Sequence, residues 1–256
     1  MNLKVAIVVV VYNKSVNDSL TLSSINKASL GPDIVLVLDN STKENNNSVL
    51  CEESAFAYYS MNGNAGLSKA YNKALDILPK DVDIVVWADD DTDFPSDYFE
   101  KLRNHCDVHN DSKVYLPVVL SKSMIISPSF FTSEGVRPFG SVEEIENNKS
   151  ITAINSGMAV NIGLYKNYRY DEKIFLDYLD HDFMYFCRRN DIKICIMEDV
   201  KINQSYFAEE NKSKKLLKIR YKIYKKDFKY FCKKWKFGFI KTKLELLRYK
   251  WAYFWH

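Results

Sequence analysis

The first third of the chain alternates between short apolar runs and amphipathic stretches. Residues 5–11 and 34–38 are apolar on both faces, as parallel strands buried between helices are. Residues 58–61 form a weaker strand-like run, and residues 62–75 are a Gly/Asn turn that opens into a helix. Residues 84–88 are a further apolar run, typical of a central strand. This alternation predicts an α/β domain with a mainly parallel sheet flanked by helices.

The pattern is less regular in the middle of the chain. Residues 114–120 are strand-like, whereas residues 127–146 contain two prolines and two glycines and predict a loop region. A long irregular segment inside an enzyme is often a loop that covers the substrate. Residues 155–160 indicate a small-residue turn into a strand, and residues 170–190 an extended segment that leads into a helix.

Carboxylates crowd the end of the central strand. The apolar run at residues 84–88 leads directly into Asp89, Asp90, Asp91 and Asp93. Open α/β sheets bind ligands at the carboxyl ends of their strands, and carboxylates this close repel one another unless a cation neutralises them. The alternative is an acidic turn in which Asp93 or Ser96 caps the next helix. A cap needs one such residue, so the cluster favours a site for a hard divalent metal.

Two other predicted strand ends carry groups that suit a nucleotide. Asp39 can accept hydrogen bonds from a base or a ribose hydroxyl, and the turn around Gly66 offers backbone N–H groups and a helix N-terminus to a diphosphate. Each feature alone is ordinary loop chemistry. Together with the acidic cluster they predict a nucleotide-binding half.

Composition and charge add an asymmetry to this picture. The 256 residues are 46% hydrophobic and 27% charged, as in a globular protein with one large domain, with or without a helical appendage. From Lys212 onward there are 16 Lys+Arg against two acids, which leaves a net charge of −11 on the first 211 residues. We therefore expect the body and the tail to meet different partners.

The cysteines and the N-terminal apolar run carry less information. Five cysteines without a C-x-x-C pair argue against a disulfide framework or a zinc site, and for a reducing compartment. The run at residues 4–11 is too short for a membrane span and lacks a small-residue cleavage site, so we predict a first strand there.

The donor-side motifs resemble those of a known enzyme family. They are Val10-Val11-Tyr12-Asn13, Val37-Leu38-Asp39-Asn40-Ser41, Asn64-x-Gly66-x-x-x-Ala70-x-Asn72 and Asp89-Asp90-Asp91. This set resembles the inverting family-two glycosyltransferases of the GT-A fold, a Rossmann-like mixed and mainly parallel sheet, particularly bacterial rhamnosyl- and galactofuranosyltransferases. The resemblance implies that Asp89 and Asp91 hold Mn²⁺ or Mg²⁺ on the diphosphate, and that Asp90 faces the ribose or a backbone donor. It also implies donor contacts from Val11, Tyr12, Asn13, Asp39, Asn64, Gly66 and Asn72.

A second segment resembles the acceptor-side signature of the same family. The stretch from Tyr170 to Phe183 aligns Asp180 with the catalytic base, and Leu179 stands where many members carry Glu. Asp177 and Asp182 are rivals for the base, and a solvated helix N-terminus is the alternative interpretation of all three acids. The resemblance places four residues on the acceptor side: Ser156, Gly157, His181 and Asp182.

One family feature is missing. Many members carry a histidine near the position of Gln204 that completes the metal shell, and this chain has none there. An amide or water oxygen could substitute, because hard cations accept such oxygens.

The tail, residues 212–256, mixes basic and aromatic residues at helical spacing. Such helices lie on anionic membrane surfaces, and the alternative is that they pack on the body. Nucleic-acid binding is disfavoured by the acidic body. We therefore predict a GT-A domain at residues 1–211, with a donor half at 1–112 and an acceptor half at 113–211, followed by a helical extension at 212–256.

These observations predict an inverting, metal-dependent glycosyltransferase. It would move a sugar from a UDP- or dTDP-linked donor to a sugar acceptor, a lipid-linked one, at the cytoplasmic face of the cell membrane. The resemblance implies that this acceptor is an intermediate of bacterial surface polysaccharide. One alternative is a non-catalytic, membrane-associated subunit that binds a nucleotide sugar or a glycan, suggested by the missing histidine. A phosphotransferase with an aspartate nucleophile is disfavoured, because Asp93 stands where such enzymes want Thr or Val.

Overall fold

The computed structural model describes residues 3–132, 135–146, 150–204 and 214–255. Its strands are β1 Val5–Val11, β2 Ile34–Asp39, β3 Ala57–Ser60, β4 Ile84–Asp89, β5 Val114–Ser121, β6 Met124–Ser127, β7 Ser129–Thr132, β8 Gly135–Pro138, β9 Ile151–Thr152, β10 Met158–Asn161 and β11 Ile194–Asn203. Its α-helices are α1 Leu20–Ile25, α2 Asn47–Glu53, α3 Leu67–Ile77, α4 Tyr98–Val108, α5 Val142–Glu146, α6 Leu179–Arg189, α7 Lys214–Lys234 and α8 Phe239–Trp255.

The main sheet has the strand order β11-β5-β10-β4-β1-β2-β3, with β6 paired to the C-terminal part of β5. The pairs β1–β2, β1–β4, β2–β3 and β5–β11 are parallel, whereas β10 runs antiparallel between β4 and β5. The predicted α/β class with a mainly parallel sheet is therefore confirmed.

Apolar layers cover the two faces of this sheet. Alternate β1 residues enter opposite layers: Ala6 and Val8 lie on one face, and Val5, Ile7 and Val9 on the other. The strand is apolar on both faces because both are buried. In the first layer the fully buried Trp87 stacks on Tyr71, with ring centroids 4.1 Å apart.

Residues 127–146 are not the loop that the sequence predicts. They form β7, β8 and α5, and β7 pairs antiparallel with both β8 and the distant β9. The prolines mislead because they stand at strand ends, where their missing N–H groups cost little. Phe130 packs on Phe139, at a centroid distance of 5.2 Å.

The two C-terminal helices pack against each other and against the body. Tyr224, Phe228 and Phe231 of α7 form a buried cluster with Leu246 of α8 and Tyr178 of the body. The predicted boundary at residues 211/212 lies outside the described residues. Among the helices that are described, none is long and apolar enough to cross a membrane.

Candidate active site

The parallel strands β1, β2 and β4 end at one edge of the sheet. Val11 pairs with Asp39, and Val10 pairs with Asp89, so the segments that follow these strands start side by side. This is the edge at which open α/β sheets bind ligands.

Asn13 ties the loops after β1 and β2 together. Its backbone adopts a left-handed conformation (φ +52°), which asparagine tolerates better than most residues. Its Oδ1 accepts hydrogen bonds from the backbone N–H groups of Thr42 (2.9 Å) and Lys43 (3.1 Å). The preceding Tyr12 is 51% exposed at the rim of this edge. The loop thus presents an aromatic side chain on a fixed backbone.

Asp39 is buried, and protein groups occupy both of its oxygens. Oδ1 accepts from the backbone N–H of Ser41 (2.8 Å), and Oδ2 accepts from Asn47 (3.0 Å) and Tyr58 (3.1 Å). Burial raises its pKa, but these hydrogen bonds outweigh burial and leave the pKa below its ordinary value. In this arrangement Asp39 is an ionised organiser of the loop after β2.

The glycine turn joins the donor half to the segment that precedes α6. Gly66 has φ +91°, and a Cβ there would lie 2.7 Å from the Phe175 ring, so both the backbone and the space require glycine. Asn64 holds the turn by accepting from the backbone N–H of Gly66 (3.2 Å). Asn72 exchanges hydrogen bonds with both backbone groups of Tyr170 (2.9 and 3.0 Å). Gly66 and Asn72 therefore act here as contacts between the two halves.

The acidic cluster lies at the end of β4. Lys14 neutralises Asp90 at 3.1 Å, and the backbone carbonyl of Asp90 accepts from Ser19 (2.9 Å). Burial, and then the charges of Asp91, Asp90 and Asp180, raise the pKa of Asp89 to about 7. Asp89 therefore sits in an excess of negative charge.

The oxygen groups around this cluster fit a hard divalent cation. Gln204, just past the end of β11, donates from Nε2 to Asp91 at 3.4 Å. Its buried Oε1 has no hydrogen-bond partner among the described residues. Carboxylate and amide oxygens are the ligands that Mg²⁺ and Mn²⁺ prefer. The unpaired oxygen stands in the part of the chain where the sequence lacks its expected histidine.

Asp180 lies in the first turn of α6, and its charge influences the acidic cluster. Its charge acts on both Asp89 and the buried Tyr71 hydroxyl, which places the carboxylate near the end of β4. Tyr178, just before the helix, has φ +69°, a conformation that costs a bulky residue about 1–3 kcal/mol. Its ring packs on α7 beside Phe228 and Phe231. That packing holds the turn from which Asp180 projects.

The two rival acids of the acceptor segment are engaged elsewhere. Asp177 forms a two-pronged ion pair with Arg220 of α7. Asp182 is fully buried and accepts from Lys234 (2.8 Å), Trp235 (2.8 Å) and Tyr168 (3.1 Å). The structure therefore does not open Asp182 to an acceptor, because three donors enclose its carboxylate. Asp180 is the acid of the three that adds its charge at Asp89.

The other residues expected on the acceptor side lie close to β10 and β9. Gly157 has φ +80°, and a Cβ there would meet Ile202 at 2.6 Å. Within the described ranges, the buried Oγ of Ser156 and both side-chain polar atoms of Asn155 have no hydrogen-bond partner. His181 Nδ1 lies 2.6 Å from the Thr152 hydroxyl. Buried polar atoms left unpaired in this way suit a polar ligand or water.

Sequence analysis missed the part that α7 plays in this site. The buried Asp227 accepts from the backbone N–H groups of Leu176 (2.8 Å) and Asp177 (3.0 Å). Together with Arg220 and Lys234 it clamps the segment that leads to Asp180. The sequence does contain one indication of this role, because Asp227 is one of only two acids in an otherwise basic tail.

The chain shares its fold with solved glycosyltransferases of the GT-A class. A GalNAc-T7 structure with UDP, GalNAc and Mn²⁺ matches with a TM-score of 0.62 at 13% identity, over 80% of this chain and 44% of that one. A mannosyltransferase of Pyrobaculum calidifontis, in complex with GDP-Man and Mn²⁺, matches at 0.61 and 13%, over 97% and 69%. TarS of S. aureus matches at 0.59 and 16%, over 88% and 65%. The architecture is the GT-A fold.

The sequence comparisons point to enzymes of the same kind. Residues 6–126, just under half of the chain, match the model of glycosyl transferase family 2. The dTDP-rhamnosyl transferase RfbF of Shigella flexneri is 24% identical over a 216-residue alignment that covers 79% of this chain and 69% of the relative. The chain spans less than two thirds of TarS and less than half of GalNAc-T7.

Proposed function

We propose that this protein is an inverting glycosyltransferase that moves a sugar from a nucleotide diphosphate to a sugar acceptor. The observation that carries the proposal is that Asp180, from the acceptor segment, lies near enough to Asp89 at the end of β4 for its charge to raise the pKa of Asp89. Inversion at the anomeric carbon requires a general base on one side of the donor sugar and a site for the leaving diphosphate on the other. The match to family 2 and the GT-A fold support the same reaction class.

The chain's own residues supply a general base, contacts that hold the base in place, and a buried side chain beside it. The Asp180 carboxylate takes the proton of the acceptor hydroxyl. The hydroxyl oxygen then bonds to the anomeric carbon of the donor sugar, while the bond from that carbon to the diphosphate oxygen breaks on the opposite face. Asp227 and Arg220 keep the base in place through the segment at residues 176–177. The buried Tyr71 lines the same region.

A divalent cation is the proposed cofactor of this site. Asp89, Asp91 and the Oε1 of Gln204 are the groups that would hold it, and the excess negative charge around Asp89 supports the assignment. Bound Mn²⁺ or Mg²⁺ would stabilise the charge that grows on the leaving diphosphate. Manganese in the structures of GalNAc-T7 and of the Pyrobaculum mannosyltransferase points to the same cofactor class.

The relatives point to pyrimidine nucleotides as the first donors to test. The Shigella relative is named for a dTDP-linked sugar, and TarS has been crystallised with UDP and UDP-GlcNAc. We infer a UDP- or dTDP-linked donor. Tyr12 at the rim and the loop fixed by Asn13 are the groups that would meet the base.

A panel of nucleotide sugars, with and without Mn²⁺, tests the donor assignment by thermal unfolding. UDP and dTDP sugars with Mn²⁺ should raise the unfolding temperature, by more than either component alone. GDP-mannose serves as the purine control. No stabilisation by any donor, and no hydrolysis on long incubation, would remove the proposal. Tight binding without transfer to any acceptor would favour a non-catalytic binding subunit.

The response to Mn²⁺ should grow with pH. The raised pKa of Asp89 means that the folded, metal-free chain binds a proton more tightly than the unfolded chain. Asp89 alone therefore makes the metal-free protein less stable as pH rises from about 4 to about 7. The metal needs the ionised carboxylate, so the Mn²⁺-induced rise in unfolding temperature should be larger at pH ~8 than at pH ~6. An Mn²⁺ effect that is equal at both values would contradict Asp89 as a ligand.

We further propose that the acceptor is a lipid-linked sugar, as in the assembly of bacterial surface polysaccharide, and that the tail lies on the cytoplasmic face of the membrane. The exposed side chains of Leu244, Leu247 and Trp251 share one side of α8, flanked by Lys243 and Lys250. Apolar and basic residues arranged in this way bind anionic lipid surfaces. The buried side of α8, with Glu245 and Leu246, packs on the protein instead.

Co-sedimentation with vesicles tests the membrane proposal. Anionic vesicles should bind the protein, zwitterionic ones should not, and added salt should weaken binding. The double variant L244S/L247S should lose most of the binding, whereas Leu30→Ser, an exposed leucine distant in sequence from the tail, should not. Equal binding by all three proteins would exclude α8 as the contact.

A further inference from the structure

A cluster of metal-ligating side chains lies at the opposite end of the sheet from the acidic cluster. His105 lies in the last turn of α4, His109 is the residue just after the helix, and Cys195 is the second residue of β11. One ligand atom from each lies within 4.8 Å of the other two. Asp89 ends β4, whereas Cys195 begins a strand of the same direction, so the two sites are separated by the length of the sheet.

The fold brings these groups together for identifiable reasons. The backbone N–H of His109 donates to the carbonyl of His105 (2.8 Å), which sets the His109 ring one turn beyond that of His105. The Cys195 Sγ lies 3.7 Å from Nδ1 of His105. The rings of His105 and His109 are nearly parallel, with an interplanar angle of 17° and a centroid distance of 5.9 Å.

An irregularity in β11 supplies a fourth group that orients His105. The pairing with β5 shifts register between Met197 and Lys201. Asp199 lies in this stretch, and its Oδ1 is 2.7 Å from Nε2 of His105. With Nε2 held by the carboxylate, Nδ1 is left to face the sulfur. A carboxylate behind a histidine is the usual outer partner of a metal-binding imidazole.

We propose that His105, His109 and Cys195 form a site for a borderline-soft divalent cation such as Zn²⁺, with Asp199 as the positioning residue. Zinc bonds of about 2.3 Å to sulfur and about 2.0 Å to nitrogen put two tetrahedral ligands about 3.5 Å apart. The 3.7 Å separation between Cys195 and His105 is close to that value. His109 is on the exposed side, so a rotamer change can bring its nitrogen closer.

The types of ligand distinguish this site from the Mn²⁺ or Mg²⁺ site proposed at the acidic cluster. Sulfur and imidazole select zinc-like ions, whereas carboxylate and amide oxygens select Mg²⁺ or Mn²⁺. Burial and then the charge of Asp199 raise the pKa of the Cys195 thiol to about 11, so the cation must displace a proton from sulfur. The ion would join α4 to β11, the strand that leads to Gln204 at its other end. The sequence argued against zinc because no C-x-x-C is present, but the ligands come from distant elements.

Cobalt titration of the full chain, in excess Mg²⁺ to fill the acidic site, tests this proposal. One equivalent of Co²⁺ should produce thiolate-to-cobalt charge-transfer absorption together with the intense visible bands of a tetrahedral ion. Proton release and displacement by Zn²⁺ should accompany it. Cys195→Ser should abolish the charge-transfer band, whereas Cys51→Ser, which removes another buried thiol, should retain it.

Two further variants separate metal binding from simple misfolding. His109→Ala changes an exposed side chain and should weaken Co²⁺ binding without altering the far-ultraviolet circular dichroism. Asp199→Asn should keep the band and weaken the affinity about 10–100-fold, as loss of an outer partner does. No charge-transfer band in the native protein, or a band that survives Cys195→Ser, would overturn the site. Either result leaves the proposed transferase activity untouched.

Discussion

Asp180→Asn should lower kcat by about 10²–10⁴-fold, the contribution of a positioned general base, while the nucleotide-sugar Kd stays unchanged. Asparagine fills the same space but cannot take a proton. The carboxylate lies in the first turn of α6, where its oxygen also accepts from the backbone N–H of His181 (2.7 Å). An amide oxygen can accept that bond too, so the helix should persist. Single-turnover transfer and donor titration measure the two quantities separately.

The controls for this variant come from the same segment. Asp191→Asn, just past α6 at an exposed position with φ +51°, should leave both kcat and Kd unchanged. Asp182→Asn should act on stability rather than chemistry, since it weakens a buried carboxylate that holds Lys234 and Trp235. If Asp180→Asn lost donor binding instead of turnover, the carboxylate would belong to the leaving-group site. The anomeric configuration of the product, read by NMR, reports whether transfer inverts.

Asp91→Ala should remove Mn²⁺-dependent stabilisation and lower kcat/KM by roughly 10³-fold, because a metal on the leaving group contributes several kcal/mol and about 1.4 kcal/mol equals a factor of ten. Asp91 accepts from Gln204 and raises the pKa of Asp89. Its loss should therefore also bring the pKa of Asp89 down. Isothermal titration with Mn²⁺ and steady-state kinetics measure the two effects.

Gln204 provides a graded comparison with Asp91. Gln204→Ala should weaken Mn²⁺ binding by about tenfold, within the range for loss of a supporting group, and Gln204→His should restore or exceed the native affinity by supplying an imidazole ligand. Asp93→Asn, at an exposed position of the same turn, should change neither. Full Mn²⁺ binding by Asp91→Ala would show that the cation sits elsewhere.

The sequence predicted the strands β1, β2 and β4 well because each is defined by its local pattern. All three are apolar on both faces, and β2 and β4 end in an aspartate, so their place in a parallel sheet follows from the pattern alone. β2 ends one residue later than its predicted run, and the Gly66 turn opens α3 as expected. These features depend on neighbours in the chain.

The features that the sequence did not predict depend on distant contacts. The pairing of β7 with β9 and the clamp of α7 on residues 176–177 join segments that no short window contains. The same holds for the roles of Asp177 and Asp182, which the motif could not separate from Asp180. Arg220, Lys234 and Trp235 decide between them, and these residues lie in the tail.

Because α7 lies near the C-terminal end of the sequence, it is synthesised after the other segments of the site. A ribosome releases the strands and helices of the donor half first, and N-terminal units generally fold while synthesis continues. The segment before Asp180 finds its clamp only when Arg220, Asp227 and Lys234 emerge. The strands that carry the residues proposed for the nucleotide are thus synthesised before the helix that fixes the segment of the proposed base.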